Sequence, residues 1–264
     1  MNKQDFIDLY MLCFPEDSYN DAEGLWNMTP EDRIMVLYDG SIPCSMLVLL
    51  DGNLVIGKNV YPLYYIYAAC THPGYRKQGK MGQLLKLSYK KAIADKKYGL
   101  FLRPASEKLA GYYANEGFKP FSGIKTEVHS YSSSGPALIK LSVQEGMKYR
   151  KTLIEKNFRG YISWSPQIVT NALSYVQESG GGAYTDSLEN PSVFILAEPG
   201  DKKVFIREAI GTNAKSYIPK LVHSLGYQSA LIRRPGTVQD QCFGMIMTEN
   251  IPSSEDIYMG IALD

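Results

Sequence analysis

The chain lacks an excess of charge of either sign. Its 28 Lys and Arg residues balance 27 Asp and Glu residues, and no basic tract is interleaved with aromatic side chains. Because attraction to phosphates supplies most non-specific affinity for nucleic acid, we expect no nucleic-acid partner. Apolar residues make up 45% and charged residues 21% of the 264 positions. This is the composition of ordinary globular domains, and the length suits two domains of about 130 residues.

Long hydrophobic runs and clustered cysteines are also missing. No stretch reaches the roughly 18 apolar residues of a membrane span. Acidic residues interrupt the apolar ones near the start, which predicts an amphipathic helix over 3–14 and not a signal peptide. The four cysteines match no zinc or redox spacing, and the three histidines are scattered. We therefore expect free cysteines, a cytoplasmic location, no membrane contact and no metal.

Helix and strand signals alternate through the first half of the chain. The hydrophobic periodicity and the turn residues predict, in order, strands at Ile34–Tyr38, Cys44–Leu50 and Tyr61–Thr71, a helix after Gly79, a strand at Tyr98–Arg103, a helix over 107–116, and one or two closing strands over 118–131. Asp-Gly pairs at 39–40 and 51–52 are predicted turns. Gly117 is predicted to end the second of these helices as a left-handed residue.

The segment SYSSSGP at 130–136 is a predicted linker. Beyond it, the order of two strands, a helix and a strand repeats over residues 193–233, without repeated residue identities. We therefore predict an α/β protein with mixed sheets (α+β in its strand arrangement) and two domains, 1–132 and 137–264.

The most informative stretch is YYIYAACTHPGYRKQGKMG, from Tyr64 to Gly82. An apolar strand ends in a turn, and a basic loop containing Gly79 then opens a helix. Free N–H groups at a helix start bind anions, and glycine lets the backbone approach the ligand closely. The pattern predicts a pyrophosphate site. The glycine strings of dinucleotide-binding and P-loop proteins are both missing.

The string R-x-x-G at Arg76–Gly79, followed by Y-x-x-x-G-F at Tyr113–Phe118, resembles the GCN5-related N-acetyltransferase (GNAT) superfamily. Met81 departs from the family pattern, which usually has Gly or Ala there, and Gly82 follows one place later. The resemblance covers about residues 1–132, and the two-part chain is similar to tandem acetyltransferases with a degenerate second half. It implies a GNAT fold in the first domain and acetyl-CoA as co-substrate.

The resemblance also implies which residues form the site. The strand end and the loop hold the pantetheine arm and the pyrophosphate of acetyl-CoA. These cofactor-binding positions are Ala69, Cys70, Thr71, Arg76, Lys77, Gln78, Gly79, Lys80, Met81 and Gly82. Tyr113 corresponds to the general acid near the sulfur, with packing or CoA contact as the alternative, and Tyr112 packs on another face. Cys70 is either a packing residue or an acyl-cysteine; its position against the pantetheine favours packing.

No residue is predicted with equal clarity as the general base. Many relatives place a Glu on the strand before the loop, but residues 64–68 contain no acid. Water, a backbone carbonyl, or a carboxylate from Glu23, Glu127 or the C-terminal Asp264 are the open alternatives. His72 is predicted to be a turn residue.

The sequence thus predicts an N-acyltransferase that moves an acetyl group from acetyl-CoA to a primary amine by direct attack in a ternary complex. The acceptor is a small-molecule or peptide amine, and the protein is a monomer or homodimer. In the second half, Glu198 and Glu208 either line a cationic substrate cleft or are exposed strand carboxylates. The alternative function is a non-catalytic CoA-binding, sensor or assembly module on the same fold.

Overall fold

A computed structural model describes residues 1–132, 134–249, 251 and 257–261. The helices of this described part are α1 Lys3–Cys13, α2 Tyr19–Met28, α3 Lys80–Ala94, α4 Glu107–Asn115, α5 Val143–Asn157, α6 Pro166–Glu178 and α7 Ala214–Ser224. The strands are β1 Ile34–Asp39, β2 Ile42–Ile56, β3 Asn59–Thr71, β4 Gly99–Leu102, β5 Lys119–Ser130, β6 Ile139–Lys140, β7 Gly160–Trp164, β8 Gly182–Thr185, β9 Phe194–Pro199, β10 Val204–Ile210, β11 Ser229–Gly236 and β12 Cys242–Thr248.

The chain divides into two compact units, each built from separated segments. The first unit comprises Met1–Asn53, Val60–Lys119 and Gly244–Ser253. The second comprises Leu54–Asn59, Pro120–Phe243 and Ser254–Asp264. Fold class is confirmed, because both units combine helices with a mixed sheet.

The sheet of the first unit has the strand order β1-β2-β3-β4-β12. β1 is antiparallel to β2, β3 is parallel to β4, and β12 is antiparallel to β4. The parallel pair is connected through α3, which packs against β4 and β1. The core is apolar and aromatic; its fully buried side chains include Phe6, Leu47, Leu49, Tyr64, Leu84 and Phe101.

Gly99 allows β12 to pair closely with β4. Its φ is +146°, and a Cβ there would lie 2.1 Å from the Met247 carbonyl oxygen. Thr248 Oγ1 donates to the Tyr98 carbonyl at 2.7 Å beside it. A side chain at position 99 therefore has no room, so the pairing of β12 with β4 depends on this glycine.

The sheet of the second unit has the order β5-β11-β10-β9-β8-β6. β9 and β10 are antiparallel, α7 follows β10, and β11 is parallel to β10. β5 is antiparallel to β11. The arrangement β9-β10-α7-β11 therefore has the same order and strand directions as β2-β3-α3-β4 of the first unit. Its core includes Ile195, Val204, Ile206, Ile218, Val222 and Ile232.

A buried ion pair lies inside the second unit. Arg150 donates from Nε and Nη2 to the two carboxylate oxygens of Glu208, at 2.6 and 2.8 Å. Tyr258 donates to the same carboxylate at 2.7 Å. Gly260, with φ +67°, is packed so closely that a Cβ would meet Glu208 Oε1 at 2.3 Å. Glu208 is thus neither exposed nor part of a cationic cleft, and both expectations for it were wrong. Glu198 pairs with Arg207 at 2.5 Å.

Most predicted elements of the first half are confirmed, including α1, β3, α3 and α4. Gly117 ends α4 with φ +97°, as predicted. The turn predicted at 51–52 was wrong, because both residues lie within β2. Asp51 accepts from Lys97 at 2.6 Å, and the reversal comes later, at Gly57 with φ +59°. The helix α2 was missed, although its capping box, formed by Ser18 and Asp21, was a usable signal.

The compact units do not coincide with the predicted segments 1–132 and 137–264. β5 from Pro120 onward clusters with the second unit, and residues 244–253 cluster with the first. The assignment of functional domains to these two segments stays a prediction. The sequence also predicts a strand near 257–263; of these residues the structure describes 257–261, where Tyr258 forms a single bridge with Tyr161. Residues 262–264 lie outside the described residues.

We predict that Glu208→Gln destabilises the protein by about 3–5 kcal/mol, because Arg150 keeps its charge in the core without its counter-charge. The free energy of unfolding is measured by urea denaturation. The matched control is Glu155→Gln, which removes an exposed pair to Lys151 at 4.0 Å and should change stability by less than about 0.5 kcal/mol. Equal effects from the two variants would contradict the assigned role of the buried pair.

Candidate functional site

The two parallel strands of the first unit separate soon after they meet. β3 pairs with β4 only through Tyr64 with Leu100 and Tyr65 with Phe101. Ala68 then takes a left-handed conformation, with φ +49°. Residues 63–66 are buried, whereas Tyr67, Ala68 and Ala69 are half-buried. β3 therefore continues past β4 with an unpaired edge in this region.

The other edge of the β3 end is held firmly by β2. Ser45 Oγ donates to the Cys70 carbonyl at 3.0 Å and lies 3.0 Å from Thr71 Oγ1. The next residue, His72, donates its N–H to the Cys44 carbonyl at 3.0 Å. His72 Nδ1 accepts from Gly74 N at 3.1 Å, which confirms its prediction as a turn residue.

The loop between β3 and α3 contains two left-handed residues. Lys77 has φ +63° and Gly79, the N-cap of α3, has φ +72°. Arg76 Nε anchors the start of the loop by donating to the Thr71 carbonyl at 3.1 Å. Gly79 is exposed and nothing lies within 4 Å of a Cβ built on it, so its backbone conformation is what favours glycine.

The loop presents a row of free backbone donors. Within the described residues, no backbone carbonyl accepts the N–H of any residue from Lys77 to Gly82. Such groups together with the helix dipole create a positive potential at the start of α3. Arg76, Lys77 and Lys80 add charge, and no described carboxylate forms an ion pair with them. The predicted loop residues thus form one electropositive surface.

The end of α4 meets the start of α3 at this surface. A Cβ added to Gly82 would lie 2.6 Å from Glu116 Oε1 and 2.9 Å from Oε2, so the carboxylate lies directly on the glycine. Burial first, and then the negative charge of Glu116, raise the pKa of Tyr112 to about 12; a hydrogen bond with Glu116 adds to this. Gly82 therefore creates the space for a carboxylate beside the free N–H groups. This contact was not foreseen from the sequence.

Tyr113 lies one turn before this contact on α4. Its ring packs edge-on against Phe118 with centroids 5.7 Å apart, and the side chain is 8% exposed. Its hydroxyl has no described hydrogen-bond partner. Burial raises the pKa of Tyr113 to about 12. The phenol is therefore a proton donor throughout the neutral range.

Cys70 is buried on β3 near Cys13, the last residue of α1. A hydrogen bond with Cys13, together with burial, raises the pKa of the Cys70 thiol far above its usual value. A neutral thiol is a poor nucleophile. The environment therefore favours the packing role of Cys70 over an acyl-cysteine. All four cysteines are free.

The carboxylates proposed as bases are engaged elsewhere. Glu23 pairs with Lys3 at 2.6 Å. Glu127, in the second unit, binds Arg234 and lies 3.0 Å from His129 Nε2. The pKa of Glu127 is lowered, first by the His129 hydrogen bond. Asp264 lies outside the described residues.

A further polar group near β3 was missed at the sequence level. Tyr10 on α1 donates its hydroxyl to Asp17 Oδ2 at 2.5 Å. Tyr67 of β3 interacts with both of these residues. The spacing of Tyr10 and Asp17 carries no motif, since they are brought together by the turn after α1.

The described residues of the second unit contain no counterpart of the basic loop. α7 begins after Gly211-Thr212-Asn213 and its N-cap Asn213 makes no side-chain capping bond. A Cβ at Gly211 would meet the Ser192 carbonyl at 2.2 Å, so this glycine serves packing. Among the described residues, no group of three or more His, Cys, Asp or Glu side chains is arranged to hold a metal. None of the helices described is long and apolar enough to cross a membrane.

Comparison with protein families identifies the class. Residues 2–121 match the family model described as an acetyltransferase (GNAT) domain. For these residues the match confirms the resemblance to the GNAT superfamily that the loop and the Y-x-x-x-G-F string predicted. No curated protein sequence matches the chain significantly.

Solved structures are similar to a larger part of the chain than the family model covers. A GCN5-related N-acetyltransferase from Anabaena variabilis is 16% identical with a TM-score of 0.72, covering 92% of this chain and 69% of that one. A probable N-acyltransferase of Enterococcus faecalis is 14% identical (TM-score 0.73; 93% and 70% covered). A GCN5-related N-acetyltransferase from Kribbella flavida is 13% identical (TM-score 0.68; 93% and 69% covered). At these identities the likeness shows the fold.

We predict that Tyr113 ionises near pH 12, and not near 10.0, because burial disfavours the phenolate. The ultraviolet titration of the wild type minus that of Tyr113→Phe isolates this group. The unfolded chain releases the proton near pH 10.0 and the folded protein near 12. The contribution to stability is therefore complete below pH 10 and lost between 10 and 12. A difference transition centred near 10 would contradict the buried environment.

Proposed function

We propose that the chain is an N-acyltransferase that moves an acetyl group from acetyl-CoA to a primary amine by direct attack. The observation that carries this proposal is the loop at Arg76–Gly82, which follows β3 and in which no described backbone carbonyl accepts the N–H groups from Lys77 to Gly82. The GNAT domain at 2–121 supports acyl transfer as the reaction class.

The residues present fit acetyl-CoA. The backbone of Ala69, Cys70 and Thr71 offers an extended edge for the amide groups of the pantetheine arm, in the manner of an added strand. The N–H groups from Lys77 to Gly82 suit the pyrophosphate, and Arg76, Lys77 and Lys80 supply positive charge. Met81 lies within the first turn of α3 and leaves the backbone donors of this turn available.

Tyr113 acts as the general acid. The thioester supplies the acetyl group: a C–N bond forms to the amine, the C–S bond breaks, and the amine loses a proton to water, from which Tyr113 is later reprotonated. Tyr113 donates its hydroxyl proton to the departing thiolate. Because its pKa is raised to about 12, it holds this proton at neutral pH, and a positioned acid typically contributes about 10²–10⁴-fold.

We further propose that the second unit is a degenerate GNAT-like domain that helps to select the acceptor. The shared arrangement of β9-β10-α7-β11 with β2-β3-α3-β4 supports common ancestry. The lack of a basic loop before α7 supports a loss of CoA binding there. The four free cysteines support the cytoplasm as location. The acceptor is a small-molecule or peptide amine, and the protein a monomer or homodimer.

The second candidate is a non-catalytic CoA-binding module. The absence of an acid from residues 64–68 favours it, whereas the Tyr113 hydroxyl, for which the described residues offer no hydrogen-bond partner, favours catalysis. Release of CoA thiol from acetyl-CoA in the presence of an amine panel decides between the two. Spermidine, an antibiotic amine, glycinamide and a tripeptide sample the open acceptor classes.

We predict that Gly79→Glu abolishes CoA binding, because it places bulk and negative charge at the phosphate site in a left-handed conformation. Calorimetry measures the affinity. The matched control is Gly40→Glu, at a turn glycine with φ +59° and free space around its Cβ, which carries the same strain and charge. CoA affinity unchanged in Gly79→Glu, or lost equally in Gly40→Glu, would show that the loop assignment is wrong.

We predict that Tyr113→Phe lowers kcat at least tenfold and leaves CoA affinity within about twofold, because only the proton donor is removed. Tyr112→Phe is the control, since Tyr112 contacts Glu116 and has no assigned proton role. Steady-state thiol release gives kcat and calorimetry gives affinity. An unimpaired rate in Tyr113→Phe assigns Tyr113 to packing alone.

A further inference from the structure

We propose that Asp17 binds the ammonium group of the acceptor, with Tyr10 and Tyr67 completing a polar subsite beside the exposed part of β3. This inference rests on the proposed function and assigns the acceptor a positively charged amine. It also explains how a site without an acid on β3 can recognise an amine.

Tyr10 fixes the orientation of the carboxylate. Its side chain is 3% exposed, and its ring packs against Phe14 with centroids 4.8 Å apart. From this rigid position its hydroxyl donates to Asp17 Oδ2 at 2.5 Å. Asp17 N donates to the Phe14 carbonyl at 3.2 Å, which holds the backbone of the turn as well. These two hydrogen bonds therefore restrict the conformation of Asp17.

The second oxygen of Asp17 is available to a ligand. Asp17 is half-buried, and no donor to its Oδ1 is present among the described residues. It also takes part in none of the ion pairs found there. The nearby Asp21 also has one oxygen without a described donor, since Ser18 N and Ser18 Oγ both donate to its Oδ2, at 2.8 and 2.6 Å. The two acids differ in their surroundings: Asp21 is exposed and caps α2, whereas Asp17 is half-buried and held by the Tyr10 hydroxyl.

Tyr67 connects this carboxylate to the reaction centre. It directly precedes Ala68, the left-handed residue after which β3 has its exposed edge. Burial first, and then the negative charges of Asp17 and Asp21, raise the pKa of Tyr67, while the nearby Tyr10 hydroxyl opposes this change. On the other side, the ring of Tyr67 stacks on Tyr65 with centroids 6.3 Å apart.

Tyr65 in turn lies within electrostatic reach of Tyr113, whose negative charge, if ionised, raises the Tyr65 pKa. A series of neighbouring tyrosines thus connects the proposed general acid to Asp17; its members are Tyr113, Tyr65, Tyr67 and Tyr10. An ammonium group bound at Asp17 would lie at the end of this series opposite to Tyr113. A polar, half-buried carboxylate is suited to an ammonium group, because the charge pair is stronger where solvent screening is incomplete.

A structural tether is the competing explanation. In that case the Tyr10–Asp17 hydrogen bond fixes only the chain between α1 and α2. Removing either partner would then have the same consequence. If Asp17 binds the ammonium group, removal of its carboxylate should weaken amine binding more than removal of the Tyr10 hydroxyl, because only Asp17 carries the charge.

The test compares four variants with an amine from the panel that the wild type acetylates. Asp17→Asn should raise the KM for the amine at least tenfold, with CoA affinity within about twofold of the wild type. Tyr10→Phe, which loses the same hydrogen bond but keeps the charge, should raise this KM less than threefold. Glu16→Gln, an exposed neighbouring carboxylate, should change nothing. Asp17→Glu should recover part of the affinity for the amine.

Thermal unfolding is measured alongside kinetics to exclude misfolding as the cause. Equal KM values for Asp17→Asn and Tyr10→Phe, or a KM for Asp17→Asn like that of the wild type, would overturn the proposal. Failure of the proposed function is recognised separately, because the wild type itself would then acetylate no amine of the panel.

Discussion

The separation of β3 from β4 is the constraint on which the candidate site depends. The two strands are hydrogen-bonded neighbours at only two residue pairs, and Ala68 then leaves the usual strand conformation. A longer pairing would cover the edge of β3 with β4 and leave no extended backbone for a ligand. The separation is stable because the opposite edge of β3 is held by β2 through Ser45 and His72. An open edge and a fixed edge on one strand make the position of the site well defined.

The same geometry places different chemistry at the two ends of the open edge. Toward α3 lie free N–H groups and basic side chains, which suit phosphates. Toward α1 lie Asp17 and the tyrosine hydroxyls, which suit a cation. Under the proposed function, these two ends would take the anionic co-substrate and the cationic acceptor, respectively. Glu116 is the exception, since its carboxylate lies on Gly82 near the phosphate end.

The loop could be predicted from the sequence because its determinants are local. Gly79 in a basic string between an apolar strand and an amphipathic helix indicates a helix start with free donors, and Gly79 is the N-cap of α3 in the structure. The left-handed Ala68 could not be predicted, since alanine has no preference for that conformation and only the surrounding sheet imposes it. Asp17 was missed for a similar reason. Tyr67, whose pKa is raised in part by the charge of Asp17, is 50 positions away, and no spacing rule connects a turn acid to a strand tyrosine.

The return of β12 to the first unit limits how the protein can be divided. The chain leaves that unit at Lys119 and contributes Met245, Ile246 and Met247 to it again, beside β4. A fragment ending at the apparent linker would expose Leu100 to Leu102 as a bare hydrophobic strand edge, which promotes aggregation. Expression of an N-terminal piece alone therefore requires a grafted copy of β12, for example through circular permutation. The sequence suggests two consecutive parts, but the first compact unit is built from segments that are separated along the chain.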